Sequence, residues 1–161
     1  MSALRKKQFR HGLLGDFKES LISATRAEQK AQSTGARHIT ALALMRQSTA
    51  RTTLGQKEEA IVVGEKARRI FAEIGDRDSV AKLNANLAAV LVSQAKFEDA
   101  KKLHTESLQE FREIGDKRGE AIELSQLGWA AESQDNLDES HITNKRSQSS
   151  ANSGIRPGSQ G

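Results

Sequence analysis

An all-α chain, built as a solenoid of about four antiparallel helix–turn–helix units, is what this sequence predicts, and three observations predict it. The first is a six-residue stretch that occurs twice at a spacing of forty, Phe71-Ala72-Glu73-Ile74-Gly75-Asp76 and Phe111-Arg112-Glu113-Ile114-Gly115-Asp116. Phe and Ile, three apart, share a helix face, Gly can take the left-handed position that stops a helix, and Asp offers an acceptor to the free N–H groups of the next one. The second is a pair of small-residue columns at the same spacing: Ala60, Ala100 and Ser140, preceded each time by two acids, and Ala27, Ala67, Ser107 and Ser147. Lys18-Glu19-Ser20 is the same place one unit earlier than the first column. The third is composition: one Pro, no Tyr, 4% aromatic residues and 29% charged ones, with Ala, Leu, Glu, Gln, Lys and Arg dominating the middle. A fixed period of this length signals a repeat architecture.

Taken in order, the first unit (about 1–35) is the least regular. Leu4, Phe9, Leu13 and Leu14 make a poor stripe, interrupted by Arg5, Lys6, Lys7, Arg10 and His11. A second helix from Phe17 to about Ser33 is clearer. Leu14-Gly15 aligns with Leu54-Gly55 and marks the expected break between the two. The second unit (36–75) gives a helix from Ile39 to Leu54, a turn at Gly55-Gln56, and a helix from Glu58 to about Ile74. In the third unit (76–115), Asp76 caps a helix running to about Gln94, with Val80, Leu83, Leu87, Val90 and Leu91 at helical spacing. A turn at Ala95-Lys96 leads to a helix from Phe97 to Ile114, whose buried face should hold Phe97, Ala100, Leu103, Ser107, Leu108, Phe111 and Ile114. The fourth unit (116–148) repeats the pattern with Ala121, Leu124, Leu127, Gly128 and Ala131, and should turn at Asp135-Asn136. Its last helix is polar, as the end of a stack requires. The array is therefore expected over 1–148, with a disordered tail over 149–161 of Ser, Asn, Gly, Gln and a Pro.

The small columns have a packing reason, since short-linked antiparallel helices approach closely only where one presents Ala, Gly or Ser. Gly128 fits the same reading, because a glycine inside a helix costs about 1 kcal/mol that a close approach would offset.

No constellation for catalysis stands out. The four His (11, 38, 104 and 141) have no metal-binding spacing and read as packing or solvated residues. Glu58-Glu59 and Glu98-Asp99 recur with the architecture, as acids favoured by the helix dipole rather than as acid/base pairs. The glycines punctuate helices and form no phosphate loop. No metal and no cofactor is expected, and no enzyme. With no Cys there is no disulfide or thiolate site. No apolar run reaches membrane-spanning length and the N-terminus lacks a signal-peptide core, so a cytoplasmic chain with no membrane partner is expected. The net charge of +4 is uneven: residues 1–75 carry fourteen Lys/Arg and seven Asp/Glu, and 76–161 carry eleven and fourteen. A basic first half could steer an acidic partner, although a solvated surface gives the same numbers. Without stacking aromatics or a recognition motif, nucleic acid is not an expected partner.

The sequences AKLNANLAAVLVSQAKFEDA (81–100) and AIELSQLGWAAESQDNLDES (121–140) resemble the tetratricopeptide repeat. Leu87-Ala88 and Leu127-Gly128 stand at that family's Leu-Gly pair, and Ala60, Ala100 and Ser140 at its Ala. The period is forty here rather than the usual thirty-four, Gly-Asp replaces the closing Pro, and Lys7-Gln8 replaces Leu-Gly in the first unit. The forty-residue form is similar to Pins-type scaffolds and to repeat arrays of bacterial signalling proteins. The resemblance implies a right-handed superhelix whose first helices line a concave groove, and a protein- or peptide-binding scaffold. It equally implies, as the alternative, a regulatory segment of a larger signalling protein such as a kinase, cyclase or transcriptional regulator. By resemblance the groove residues include Met45, Thr49, Thr52, Lys82, Asn86, Ala89, Gln126 and Trp129, with Leu42, Ala85, Val92, Ile122, Ser125 and Glu132 beside them. Trp129, the single tryptophan, lies off the buried stripe and is the natural anchor for a partner. Lys82, Asn86 and Gln126 do not reproduce the carboxylate grip of some family members. Self-association through the irregular first unit is open.

Overall fold

The computed structural model describes residues 3–153, with side chains described for 15–142, 144, 145 and 148. It consists of six helices: α1 (Ala3–Ser33), α2 (Arg37–Thr53), α3 (Lys57–Glu73), α4 (Arg77–Ser93), α5 (Phe97–Ile114) and α6 (Lys117–Ser153). Each packs antiparallel on the next, and α2 also touches α4 across the array.

The joints follow from local chemistry. Gly35, Gly55, Gly75 and Gly115 adopt φ of 69°, 79°, 76° and 76°, the left-handed region open to glycine. Ala95 takes the same role with φ 58°, at a steric cost that the packing of the flanking helices offsets. At Asp76 the carboxylate accepts the Ser79 N–H at 3.0 Å. Asp116 does the same for Gly119 at 3.0 Å. These are the two caps expected from the repeated stretch.

The core is continuous through the middle of the array. Ala41, Leu44, Ala67, Phe71, Leu83 and Leu87 form one cluster, and Ala88, Val92, Ala100 and Ala130 a second toward α6. Both small columns are fully buried where helices flank them on both sides, at Ala60, Ala100, Ala67 and Ser107. Two buried hydroxyls bridge helices: Ser48 donates to the Ala60 carbonyl and Ser107 to the Ala81 carbonyl, each at 2.8 Å. Side-chain bonds between neighbouring units repeat with the period. Gln94 donates to Glu58 at 3.0 Å and Gln134 to Glu98 at 3.3 Å, and within the second and third units Arg37–Glu73 and Arg77–Glu113 pair at one and the same spacing. Exposed pairs of this kind add little energy; they recur because the units repeat.

The ends depart from the sequence expectation. Among the described residues only α2–α3 and α4–α5 are complete hairpins, because the expected breaks at Leu14-Gly15 and Asp135-Asn136 lie inside the continuous helices α1 and α6. Breaking a helix gives up backbone hydrogen bonds, which only burial on the far side of the joint restores. Residues 137–153 offer little beyond Leu137 and Ile142 to bury, both exposed. The helix therefore runs on. It also runs through 149–153, part of the segment expected to be disordered, and 154–161 lie outside the described residues.

For the same reason the expected buried stripe of the fourth unit is not buried, apart from Leu127, which is half-buried. Ala121, Leu124, Gly128 and Ala131 face outward, and a Cβ on Gly128 would meet nothing within 4 Å. The glycines under pressure are others. A Cβ on Gly64 would lie 2.6 Å from Leu87 Cδ2, and one on Gly119 2.6 Å from the Phe111 ring. Ile114, expected at an interface, is 39% exposed, whereas Phe111 is buried. Ala27, in an outer unit, is exposed.

Candidate binding groove

A groove of about 770 Å³ crosses the faces of α2, α4 and α6. Met45, Arg46, Thr49 and Ala50 of α2 form one wall, Lys82, Ala85 and Asn86 of α4 the floor, and Arg118, Gly119, Ile122 and Glu123 of α6 the other wall. Phe17 and Ser20 of α1 and Phe111 of α5 also line it. Helical spacing explains the selection: 45 and 49, 82 and 86, and 118 and 122 each stand one turn apart on a single face.

The groove mixes apolar surface with a cationic rim. Met45, Ala85 and Ile122 supply the first, and Ile122 is 47% exposed although nothing polar holds it there. Lys82 donates to the Asp78 carboxylate at 2.6 Å. That hydrogen bond, against a smaller opposing effect of burial, holds the ammonium above its ordinary pKa and keeps it charged. Arg46 and Arg118 stand exposed at opposite walls. The acids present are already engaged. Asp116 accepts backbone N–H bonds of its own helix, and Glu123, 1% exposed, is hydrogen-bonded to buried His104 at 2.7 Å. Along the lining the cations Arg46, Lys82 and Arg118 outnumber the acids Asp116 and Glu123.

The resemblance-derived residues divide. Met45, Thr49, Lys82 and Asn86 line the groove together. Thr52, Ala89, Gln126 and Trp129 do not line it, though each continues the same helix face a turn or two further on; Trp129 is 55% exposed. Val92 is buried in the cluster with Ala88 and Ala100, and Leu42 faces a smaller pocket against α1. Geometry accounts for the split. Between α2 and α6 the lining residues slide toward the helix N-terminus, from 45–50 through 82–86 to 118–123. Columns taken at a constant offset of forty ignore that superhelical slide.

Sequence reasoning missed His104–Glu123. These residues stand in the columns of Gly64 and Leu83, so the apolar pattern of one unit hid a buried polar pair in the next. Arg46 and Arg118 were missed as well, because their neighbours on the chain gave them no distinguishing pattern.

The architecture defines a class, the helical-repeat array. Among solved structures it is similar to the crystal structure of BtubC (BKLC) from P. vanneervenii, with a TM-score of 0.57 and 16% identity over the whole of this chain and 78% of that one. At that identity the likeness concerns the fold. No protein-family model matches the chain, and no curated protein sequence matches it. Among the described residues no helix is long and apolar enough to cross a membrane.

Proposed function

We propose that this chain is a non-enzymatic scaffold of the tetratricopeptide type, working in the cytoplasm, which holds a segment of a protein partner in the groove across α2, α4 and α6. The observation that carries the proposal is the groove itself: apolar Met45, Ala85 and Ile122 rimmed by Arg46, Lys82 and Arg118. The partner this favours is a short segment with apolar side chains and at least one carboxylate. A surface held by packed helices loses little freedom when such a segment docks. Trp129, beyond the groove on the face of Ile122, gives a longer segment an apolar landing point. The likeness to BtubC supports a repeat scaffold as the frame for this reading.

The experiment is selection of peptides from a random library on the intact chain, followed by titration against two variants. Met45→Glu with Ile122→Glu should weaken the selected peptides by roughly a hundredfold, since each wall then presents a charge where the peptide's apolar side chains would bury. Arg46→Glu with Arg118→Glu should weaken the acidic ones and flatten their salt dependence. Peptides that bind both variants as they bind the parent chain would refute the groove assignment.

A further inference from the structure

Opposite its contact with α5, helix α6 carries an apolar face that nothing in the described structure covers. Ala121, Leu124, Gly128 and Ala131 recur along it at the three- and four-residue steps of a packing seam, all exposed, with Leu124 at 49%. Forty positions earlier the same columns hold Ala81, Asn84 and Ala88, which are 0–2% exposed because α5 lies over them. The face is thus of a kind that the array elsewhere covers with a helix. On α6 the described chain supplies no such helix.

We propose that a second copy of this chain covers it, α6 against α6, in an antiparallel pair related by a two-fold axis level with Gln126. A face can serve both members of such a pair only if it is complementary to itself, and this one is. With the axis at 126, Leu124 of each copy lies opposite Gly128 of the other, the largest side chain of the seam over the residue with none. Ala121 lies opposite Ala131. Gly128, unfavourable inside a helix and met by nothing within 4 Å in the single chain, gains a reason in the pair. Charge fixes the direction. Lys117, with its side chain 84% exposed and its ammonium bonded to Glu120 of the same helix at 3.0 Å, stands at one end of the seam, and Asp135 and Asp138 at the other. Antiparallel packing sets Lys117 against Asp135 twice, whereas parallel packing would set like charges together. Ile122 and the groove lie on nearly the opposite side of the helix, so pairing leaves the groove open.

The test is sedimentation of the full chain over a concentration series. A reversible monomer–dimer equilibrium is expected. Leu124→Asp should leave a monomer with an unchanged helical circular-dichroism spectrum, and Gly128→Leu should raise the dissociation constant by roughly tenfold or more. Lys117→Glu and Asp135→Lys should each weaken the dimer, and mixing the two variants should restore it, because both cross-contacts then join opposite charges. A chain that stays monomeric at every concentration, whether residues 137–153 fold back over the face or another protein covers it, overturns the proposal. So does a dimer that survives Leu124→Asp.

Discussion

Gly64 and Gly128 both sit inside helices, and replacing each with alanine should move stability in opposite directions. Intrinsic propensity favours alanine by about 1 kcal/mol at either place. At Gly128 nothing lies within 4 Å of the new methyl, so the dilute monomer should gain about that amount. At Gly64 the methyl would stand 2.6 Å from Leu87 Cδ2 and 2.9 Å from Ser48 Oγ. Leu87 is 1% exposed and has no space to retreat into, so overpacking costs about 1–3 kcal/mol. Ser48 is held by its bond to the Ala60 carbonyl, 2.8 Å long, and displacing it costs about 1 kcal/mol more. After subtracting the propensity gain, Gly64→Ala should destabilise by roughly 1–3 kcal/mol. Urea unfolding followed by far-ultraviolet circular dichroism at low protein concentration measures both. If Gly64→Ala is as stable as the parent chain, the close approach of α3 to α2 and α4 is wrong.

Ala95→Gly should stabilise by about 1 kcal/mol in the same assay, since it relieves a left-handed alanine. Asp76→Ala should cost about 1 kcal/mol by removing the cap of α4, while Asp76→Asn retains most of it. For Asp76, burial raises the pKa but the Ser79 bonds and His38 outweigh it, so the folded value lies below the ordinary carboxylate value. Its contribution is therefore complete above the unfolded pKa of about 3.9 and is lost as pH falls through the lower folded value; acid titration of Asp76→Asn should show a shallower loss. His104→Ala leaves the buried Glu123 carboxyl without its hydrogen-bond partner, and about 1–3 kcal/mol should go with it. Hydrogen exchange should then rise first in the N-terminal turns of α6.

The middle of the array was legible in the sequence because each of its helices is flanked on both sides. There the period, the Gly-Asp joints and the small columns all report the same burial, and α5 begins at Phe97 and ends at Ile114 as read. At the ends the same letters mean something else. Asp135-Asn136 aligns with Ala95-Lys96, yet no burial beyond the joint compensates for breaking the helix, so the repeat pattern predicts a turn where α6 is continuous. Gly128 misled for the same reason, while Gly64 passed unnoticed although Leu87 presses on it. Of the positions that the resemblance implied, Met45, Thr49, Lys82 and Asn86 lie together along the groove and Thr52, Ala89, Gln126 and Trp129 do not, because the slide between units depends on packing angles that no single column encodes.

Whether partners bind in the groove of α2, α4 and α6 is decided by backbone amide shifts of the labelled chain, followed as a selected peptide is added. The changes should gather around Met45, Lys82, Asn86 and Ile122, with Trp129 affected only by longer peptides. Changes centred instead on the outer helices, around exposed Val62 of α3 or Thr105 of α5, would show that partners are held elsewhere.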